Sequence, residues 1–599
     1  MEKQAHPPGR GRGSRTVTAA EKAQAREVSL RRIARLFTPY RWQLAIVTAI
    51  IVASSVVALA SPFLLRAVID KALPEKNVHL LAWLVIGMVA VAGITSAFGV
   101  IQTWISTKVG QHVMHGLRTS VFSHLQRQSL AFFTRTRTGE VQSRITNDIG
   151  GMEAVVTSTA TSIASNLTTA IGTSVAMVVL SWRLSLISLV VMPPAIYFTR
   201  KVARMRRAIT TEQQRELANI NVIVEEGLSI NGIQLAKTMG TGPSLVQRFT
   251  ASSARLIDLE LRSQLAGRWR MASLSIMFAA IPAIIYLAAG FPATAGVISI
   301  GTLIAFTTLQ NGLFRPLTGL LGTSVSVISS LALFARIFEY LDLPVDIDEP
   351  ASPVTIDLAK VQGHVRYENV GFTYPGADRP ALTGVDLDIP AGTTLALVGE
   401  TGSGKTTLAS LAARLYDPSS GRVCIDGIDI RDMRLADLAE IVGVVSQETY
   451  LLHTTVRENL RYAKPTATDA EIEAAVRAAQ IHDLIAGLPD GYDTMVGSRG
   501  HRFSGGEKQR IAIARTLLRD PRVLVLDEAT SALDTETERA VQKAFDNLAQ
   551  GRTTITIAHR LSTVRDADQI AVLDHGQIIE AGDHVSLVAE AGRYAELAA

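Results

Sequence analysis

Through the first half of the chain the apolar residues run in long blocks. They show neither the alternation of a half-buried strand nor the one-sided stripe of a surface helix. Six blocks, 43–65, 80–107, 155–180, 184–203, 271–290 and 300–323, have the length of a bilayer-crossing helix. The first, second, third and fifth hold no Asp, Glu, Lys, Arg or His, and the sixth holds only Arg315. The fourth contains Pro193 and Pro194, a kink that a membrane helix tolerates, and runs into Arg200 and Lys201. Ser181-Trp182-Arg183 is nearly all that separates the third and fourth blocks, and the first-to-second and fifth-to-sixth connections are short as well. The other two connections are long, helical in period and basic. Arg118, Arg127, Arg135, Arg137 and Arg144 lie in the first; Arg200, Lys201, Arg204, Arg206 and Arg207 open the second. The positive-inside bias puts both long loops and both termini in the cytoplasm. Because the helical period continues out of the apolar blocks, helices two to five are expected to extend past the bilayer as rods. The first rod pair should reverse between Phe132 and Glu140, with Gly139 as breaker, and the second between Gln213 and Val224. Such reversals are placed to touch a cytoplasmic domain.

Flanking segments complete the division. Residues 1–28 are small, polar and basic and read as a disordered tail. Leu30, Ile33, Leu36 and Phe37 set against Arg31, Arg32 and Arg35 predict an amphipathic elbow along the inner membrane face, up to Tyr40. No apolar stretch precedes Tyr40, so a cleaved secretory signal is not expected. The membrane domain is therefore read as 29–343. Pro344, Asp346, Asp348, Glu349, Pro350 and Pro353 mark an acidic linker, 344–360. From Val361 to the end, 361–599, strands, turns and helices alternate as in an α/β domain. The fold class expected is thus multidomain: an all-α six-helix transmembrane domain with long cytoplasmic helical extensions, followed by an α/β P-loop ATPase domain.

Composition agrees with this division. Of 599 residues, 47% are hydrophobic and only 19% charged, below the roughly one quarter of a soluble domain. The net charge of +5 could suggest nucleic acid, but the basic residues flank apolar spans, and no nucleic-acid partner is expected. Cys424 is the only cysteine, which excludes an intramolecular disulfide and a thiolate cluster; its context, GRVCIDG, reads as a buried strand.

The chemistry lies in the second domain. Thr393–Val398 reads as a buried strand, followed by GETGSGKT and a helix from Lys405, the context that a phosphate-binding loop requires. Gly399, Glu400, Thr401, Gly402, Ser403, Gly404, Lys405, Thr406 and Thr407 form the candidate nucleotide cradle. Glycines let backbone N–H groups turn onto phosphate oxygens, and the helix N-terminus adds its dipole. Lys405 can reach the β- and γ-phosphates and Thr406 can place its hydroxyl on Mg²⁺. A second apolar strand, Arg522–Leu526, ends in Asp527, a candidate Mg²⁺ ligand, and Glu528, positioned to polarise an attacking water. His559 follows the buried strand TTITIA and can reach the γ-phosphate side.

The order of these motifs resembles the ATP-binding-cassette exporters in their half-transporter form, over nearly the whole chain. The resemblance implies that Ser504, Gly505, Gly506 and Glu507 are the signature that closes on the γ-phosphate of ATP held by a partner subunit. It implies adenine stacking by Tyr374 and sensing of Mg²⁺ and γ-phosphate by Gln447. It also implies that Asp534 crosses the dimer interface, that Glu528 is the general base and that His559 is the switch histidine. Val496–Gly500 resembles the loop that touches the coupling helices. Two motifs depart from the family pattern: Glu507 and Phe503 stand in a signature that usually ends in Gln and opens with Leu, and Ser498 replaces an acidic residue in the loop before it. ATP and Mg²⁺ are the implied cofactors. Because the signature must face another chain's phosphate loop, a homodimer or a heterodimer with a related half-transporter is required.

The mechanism expected is alternating access driven by ATP, in a multi-pass protein of the bacterial inner membrane. Ionisable residues inside membrane helices usually mark ion or proton pathways, and their near absence favours a hydrophobic or amphipathic substrate, drug-like or lipid. Asn166, Gln310, Asn311, Trp104, Phe278 and Phe306 are the candidate cavity groups, with helix packing as the competing role for each. An exporter-shaped importer, an ATP-gated channel or regulator, and a soluble ATPase docked to membranes are the alternatives.

Overall fold

The computed structural model describes residues 28–136, 138–154, 158–289, 298–446, 449–497, 503–527, 535–558 and 564–598. These fall into two compact units, one running to His124 and resuming over Gly139–Leu343, the other Leu125–Thr138 with Pro344–Ala599.

In the first unit, the elbow α1 (Leu30–Phe37) has no buried residue. It leads through Pro39 into α2 (Arg41–Ala67), which a π-helical turn, Val68–Ala72, prolongs. Next in the chain is α3 (Val78–Gln126), and the second unit contributes α4 (Leu130–Arg135). Short pieces, α5 (Thr138–Ser143), a π-helical turn at Arg144–Asp148 and α6 (Ile149–Ala154), then lead to α7 (Ala160–Leu180). The remaining helices are α8 (Trp182–Leu228), α9 (Ile230–Thr238), α10 (Gly242–Ala289) and α11 (Ile300–Leu341). All six expected spans are helical wherever they are described. Among the described residues, three stretches meet a strict length-and-hydropathy test for crossing a membrane: Leu30–Ala72, Val78–Gln126 and Ala160–Leu180.

Three of the expected rods are continuous. Helix α3 has 49 residues, α8 has 47 and α10 has 48. Each is about 70 Å long, twice the hydrocarbon core. The sixth helix also extends past its apolar block, to Leu341. The rod expected before α7 is helical over 138–154 and again from 158, with a π-helical turn at Arg144–Asp148 inside it. The second reversal lies later than expected. Helix α8 runs unbroken through 213–224, and the turn comes where Ser229 caps α9 by accepting from Gly232 N at 3.0 Å. Gly240, at φ +68°, then opens the way to α10. A side-chain cap and a left-handed glycine are stronger helix punctuation than the polar run the sequence offers at 213–224.

Helix α11 packs on α7 and α2, while α8 pairs with α10. Ala170, Met177, Leu184, Ile285, Phe306 and Leu313 share one buried cluster. Polar groups on these helices pair with one another: Gln310 Nε2 donates to Ser188 Oγ at 2.9 Å, Tyr286 and Thr307 hydroxyls lie 3.3 Å apart, and so do those of Ser55 and Thr169. Phe306 and Gln310, expected as cavity groups, are therefore core residues, 0% and 1% exposed. Trp104 and Asn311 are exposed, and Asn166 is half-buried against Gly319. The side chain of Phe278 lies outside the described residues. At the start of α11, Asp70 accepts from Gly301 N at 2.9 Å and from Ser299 Oγ at 2.5 Å, capping one helix from another. At its end, Asp342 holds Arg32 of the elbow through two bonds of 2.6 and 2.7 Å, with the guanidinium 4.2 Å from the Phe338 ring centroid.

The second unit carries two sheets. The antiparallel sheet uses β1 (Val365–Phe372), β2 (Leu382–Ile389), β4 (Ser420–Ile425) and β5 (Ile428–Asp429), in the order β2-β1-β4-β5. The larger sheet uses β3 (Thr394–Val398), β6 (Val442–Val445), β7 (Val523–Asp527), β8 (Thr553–Ile557), β9 (Gln569–Asp574) and β10 (Gln577–Gly582). Its order is β10-β9-β3-β8-β7-β6, with only β10 antiparallel. Helix α12 (Lys405–Ala412) follows β3, and α13 (Leu435–Ile441) precedes β6. A helical group of α14 (Val456–Arg461), α15 (Asp469–Ala478), α16 (His482–Ala486), α17 (Gly505–Arg519) and α18 (Thr535–Ala549) builds a second core around Val456, Ile472, Ile511 and Phe545. Helices α19 (His584–Ala589) and α20 (Arg593–Ala598) end the chain. Cys424 is buried on β4, opposite Arg366, and burial pushes its thiol pKa up, as a structural cysteine requires.

The first loop reversal belongs to this unit. Ala131 of α4 joins the buried cluster that contains Val365, Leu395 and Leu408. Beside it Ser129 Oγ donates to Asp346 at 2.9 Å, and Arg127 holds both oxygens of Asp348 at 2.9 and 3.1 Å. Within this unit the segment Leu125–Thr138 therefore packs on the α/β domain, and acidic residues after Leu343 supply its polar contacts.

Candidate functional site: a nucleotide cradle at one sheet edge

Parallel strands bring their C-terminal ends to one edge, where α/β sheets bind their ligands. Register places Leu397 of β3 beside Ile557 of β8, Ile557 beside Asp527 of β7, and Leu526 beside Val445 of β6. Four chain segments therefore leave the sheet side by side. They lead to the phosphate loop, His559, Glu528 and Gln447. The last three, with Asp534 and Ser498, lie outside the described residues.

The loop itself is tightly built. Gly399 has φ +148°, and a Cβ there would fall on the carbonyl oxygen of Leu573. Gly404, at φ +110°, would set a Cβ 2.9 Å from Ala381 O. Both positions need glycine for conformation and for space. Gly576 N donates to Ser403 O at 3.0 Å, and Ser403 N to Glu400 O at 3.1 Å. Lys405 is buried at the base of the loop, its Nζ donating to the carbonyls of Gly399 and Glu400, both at 2.8 Å, with Ser403 Oγ 3.5 Å away. Burial lowers the Lys405 pKa, and the carboxylate of Asp527 opposes that shift, so cation and acid share one field. Thr406 is exposed in the first turn of α12, whereas Thr407 is buried. Gly402 is exposed at φ +87° and has open space beside it, and Thr401 is exposed too.

A hydroxyl at Thr406 and a carboxylate at Asp527 are hard oxygen donors that fit Mg²⁺ in chemistry. A buried ammonium held by carbonyls is the group a phosphate can recruit. Tyr374 is fixed nearby, its hydroxyl 2.9 Å from Thr407 Oγ1 and its ring edge-on to Phe372 and Tyr416, with centroids 4.8 and 5.4 Å apart. Tyr374 is 36% exposed as a residue, and an aromatic face left open to solvent is a surface on which a planar base can stack.

The signature residues stand elsewhere. Ser504 caps α17 and forms a capping box with Glu507: Ser504 N donates to Glu507 Oε2 at 2.7 Å, and Glu507 N to Ser504 Oγ at 3.3 Å. Gly505 and Gly506 form the first turn, and Phe503 is buried in the helical core. Among the described residues, no hydrogen bond or ion pair joins Ser504–Glu507 to the phosphate loop. The departure at Glu507 has a local account, since either a carboxylate or an amide at this position closes the box. Glu507→Gln is expected to leave ATP turnover within about twofold of wild type. Glu507→Ala, which opens the box, should cost about 1 kcal/mol, read as a lowered Tm.

Arg515 was not singled out by its sequence context. Its Nε donates to Asn459 O at 2.7 Å, its Nη1 to Tyr450 O at 2.8 Å, and its Nη2 to Asn459 Oδ1. It lines a cavity of about 560 Å³ with Val444, Tyr450, Tyr462 and Arg519, away from the phosphate loop. The helical period of α17 is the only sequence signal it carries.

The fold and cradle define an ATPase fused to a membrane-spanning helical domain. Residues 44–317 match the family model of the ABC transporter transmembrane region, and residues 382–531 match the family model described as ABC transporter. An ATP-dependent lipid A-core flippase of Chromobacterium violaceum is 37% identical over 91% of this chain and 92% of its own. An uncharacterised ABC transporter ATP-binding protein of Bacillus subtilis is 36% identical over 91% of this chain and 94% of its own. A solved bacterial Atm1-family ABC exporter with ATP bound superposes with a TM-score of 0.74 at 30% identity, over 93% of this chain and 97% of that one. The chain belongs to the ABC transporters and is a half-transporter of exporter type, with membrane and ATP-binding domains in one polypeptide. It binds ATP, couples ATP hydrolysis to transmembrane transport and is a multi-pass membrane protein.

Proposed function

We propose that two copies of this chain form a homodimer that exports an amphipathic lipid across the bacterial inner membrane by alternating access, both termini being cytoplasmic. The membrane helices carry the substrate reading. Several of their buried polar groups are neutral and meet one another, as Gln310 meets Ser188 and Tyr286 meets Thr307, and the apolar blocks are almost free of ionisable groups. Such a lining suits long hydrocarbon and disfavours an ion path. The flippase names of several relatives point the same way.

In the proposed cycle, Lys405 moves from the carbonyls of Gly399 and Glu400 to the β- and γ-phosphates, and the loop N–H groups orient the triphosphate. Tyr374 stacks on adenine. Thr406, Asp527 and Gln447 would hold Mg²⁺, which neutralises phosphate charge when bound. Ser504, Gly505 and Gly506 of the second copy complete each site, with Asp534 at the interface. Glu528 takes a proton from the attacking water, and His559 contacts the γ-phosphate. ATP shifts the equilibrium only through its higher affinity for the closed dimer.

The test uses the single purified chain in proteoliposomes with a fluorescent phospholipid. ATP-dependent movement of the lipid between leaflets, with lipid-stimulated hydrolysis, is the expected result. Hydrolysis stimulated by soluble drug-like compounds and not by lipids would overturn the substrate class. An ATP-dependent ion conductance without lipid movement would overturn the transport reading. Hydrolysis that appears only on adding a second, different half-transporter would overturn the homodimer.

A further inference from the structure

The last helix of the chain reaches the phosphate loop. At the end of β10 the Glu580 carboxylate accepts the backbone N–H groups of Arg593 at 2.5 Å and Tyr594 at 2.9 Å. Tyr594 is fully buried, its hydroxyl 2.7 Å from His584 Nδ1. Gly592 leaves no room for a Cβ, which would fall on the Glu580 carboxylate. The backbone at Arg593 is therefore fixed, and its guanidinium pairs with Glu400 and, at 2.7 Å, with Glu596.

Glu400 is the second residue of the phosphate loop. Its carbonyl holds Lys405, while its carboxylate remains 66% exposed on the loop that receives a triphosphate. A bare carboxylate there repels a polyanion through space, more at low salt than at high. We propose that Arg593 is a positioning residue of the ATPase: its guanidinium neutralises Glu400, so that an acidic loop side chain does not oppose binding of ATP. The inference rests on reading Gly399–Thr406 as the ATP site. It assigns the C-terminal helix a part in nucleotide affinity that the loop motif does not contain.

The experiment compares KM for ATP and kcat of the full chain in nanodiscs for wild type, Arg593→Ala, Glu400→Ala and the double variant, at low salt and at high salt. Arg593→Ala is expected to raise KM about three- to fivefold at low salt, the scale of one exposed charge pair, with kcat near wild type. The rise should shrink at high salt, and Glu400→Ala in the same chain should abolish it. A merely structural role for Arg593 would leave the double variant as impaired as the single one, and that result overturns the proposal. So does an unchanged KM in a folded Arg593→Ala. If Arg593→Ala loses its fold, Arg593→Lys and Arg593→Gln replace it: wild-type KM for the first and a raised KM for the second support the pair, and equal KM values overturn it. Lys405→Ala runs alongside. Wild-type turnover in that variant would remove the ATP-site reading itself, whereas an inactive Lys405→Ala beside a normal Arg593→Ala removes only the role of Arg593.

Discussion

Lys405→Ala is expected to lower ATP hydrolysis by about two to three orders of magnitude, the scale seen when one electrostatic stabiliser of a transition state is lost. The side chain is buried, and among the described residues its partners are loop oxygens and the field of Asp527. Its ammonium is the one cation on the described loop Gly399–Thr406. Removing it leaves the carbonyls of Gly399 and Glu400 without their ammonium donor and exposes a triphosphate to the negative charge of Asp527. The fold should survive, because no apolar core contact depends on the lysine head group. Lys405→Arg is not expected to restore activity, since a planar fork does not fit the space of a compact ammonium. The measurement is steady-state hydrolysis beside a thermal melt. A variant that melts like wild type and hydrolyses within tenfold of it would remove Lys405 from the mechanism.

Glu528→Gln is expected to separate binding from chemistry. It is next in sequence to Asp527, the last residue of β7, a strand that ends at the edge where β3 delivers the phosphate loop. An amide there keeps shape and hydrogen bonding but cannot take a proton. Loss of a general base costs about 10²- to 10⁴-fold in rate. ATP affinity should be retained, and unhydrolysed ATP should accumulate in a closed dimer. Radiolabelled nucleotide trapped by the full chain in nanodiscs checks this: ATP in the trapped fraction is expected, and ADP formed at a wild-type rate would show that another group is the base.

The two variants probe parts of the site that differed in legibility. The cradle was readable because its residues are contiguous. Glycines at 399 and 404, a lysine and a hydroxyl residue follow a buried strand, and local chain geometry alone then builds the loop. Six membrane helices were readable because hydrocarbon imposes one length and one composition. Their course beyond the apolar blocks was harder. Helix α8 continues past the expected turn to a cap at Ser229, and the rod before α7 carries a π-helical turn at Arg144–Asp148. Polar, helix-compatible residues on such stretches do not by themselves say where a helix stops.

Phe306 and Gln310 show another limit. Both lie on an apolar block, and sequence position does not distinguish a face that lines a cavity from one that meets a neighbouring helix. Packing of α7, α8 and α10 around α11 decided it. Arg593 and Arg515 are the extreme case. Each is an ordinary arginine in its own neighbourhood, and each acquires its role from a residue far away in the chain, Glu400 for one and Asn459 for the other.

The sequence by itself determined the nucleotide loop and a helical membrane domain, and the order of its motifs gave the class of machine by resemblance. The first two follow from short-range rules: helix period, hydrocarbon length and the backbone freedom of glycine next to a lysine. Tertiary structure alone decided which strand ends share an edge, which polar groups in the membrane are satisfied, and which distant charges reach the phosphate loop. Those depend on register and on the packing of elements separated by hundreds of residues, and no local pattern encodes them.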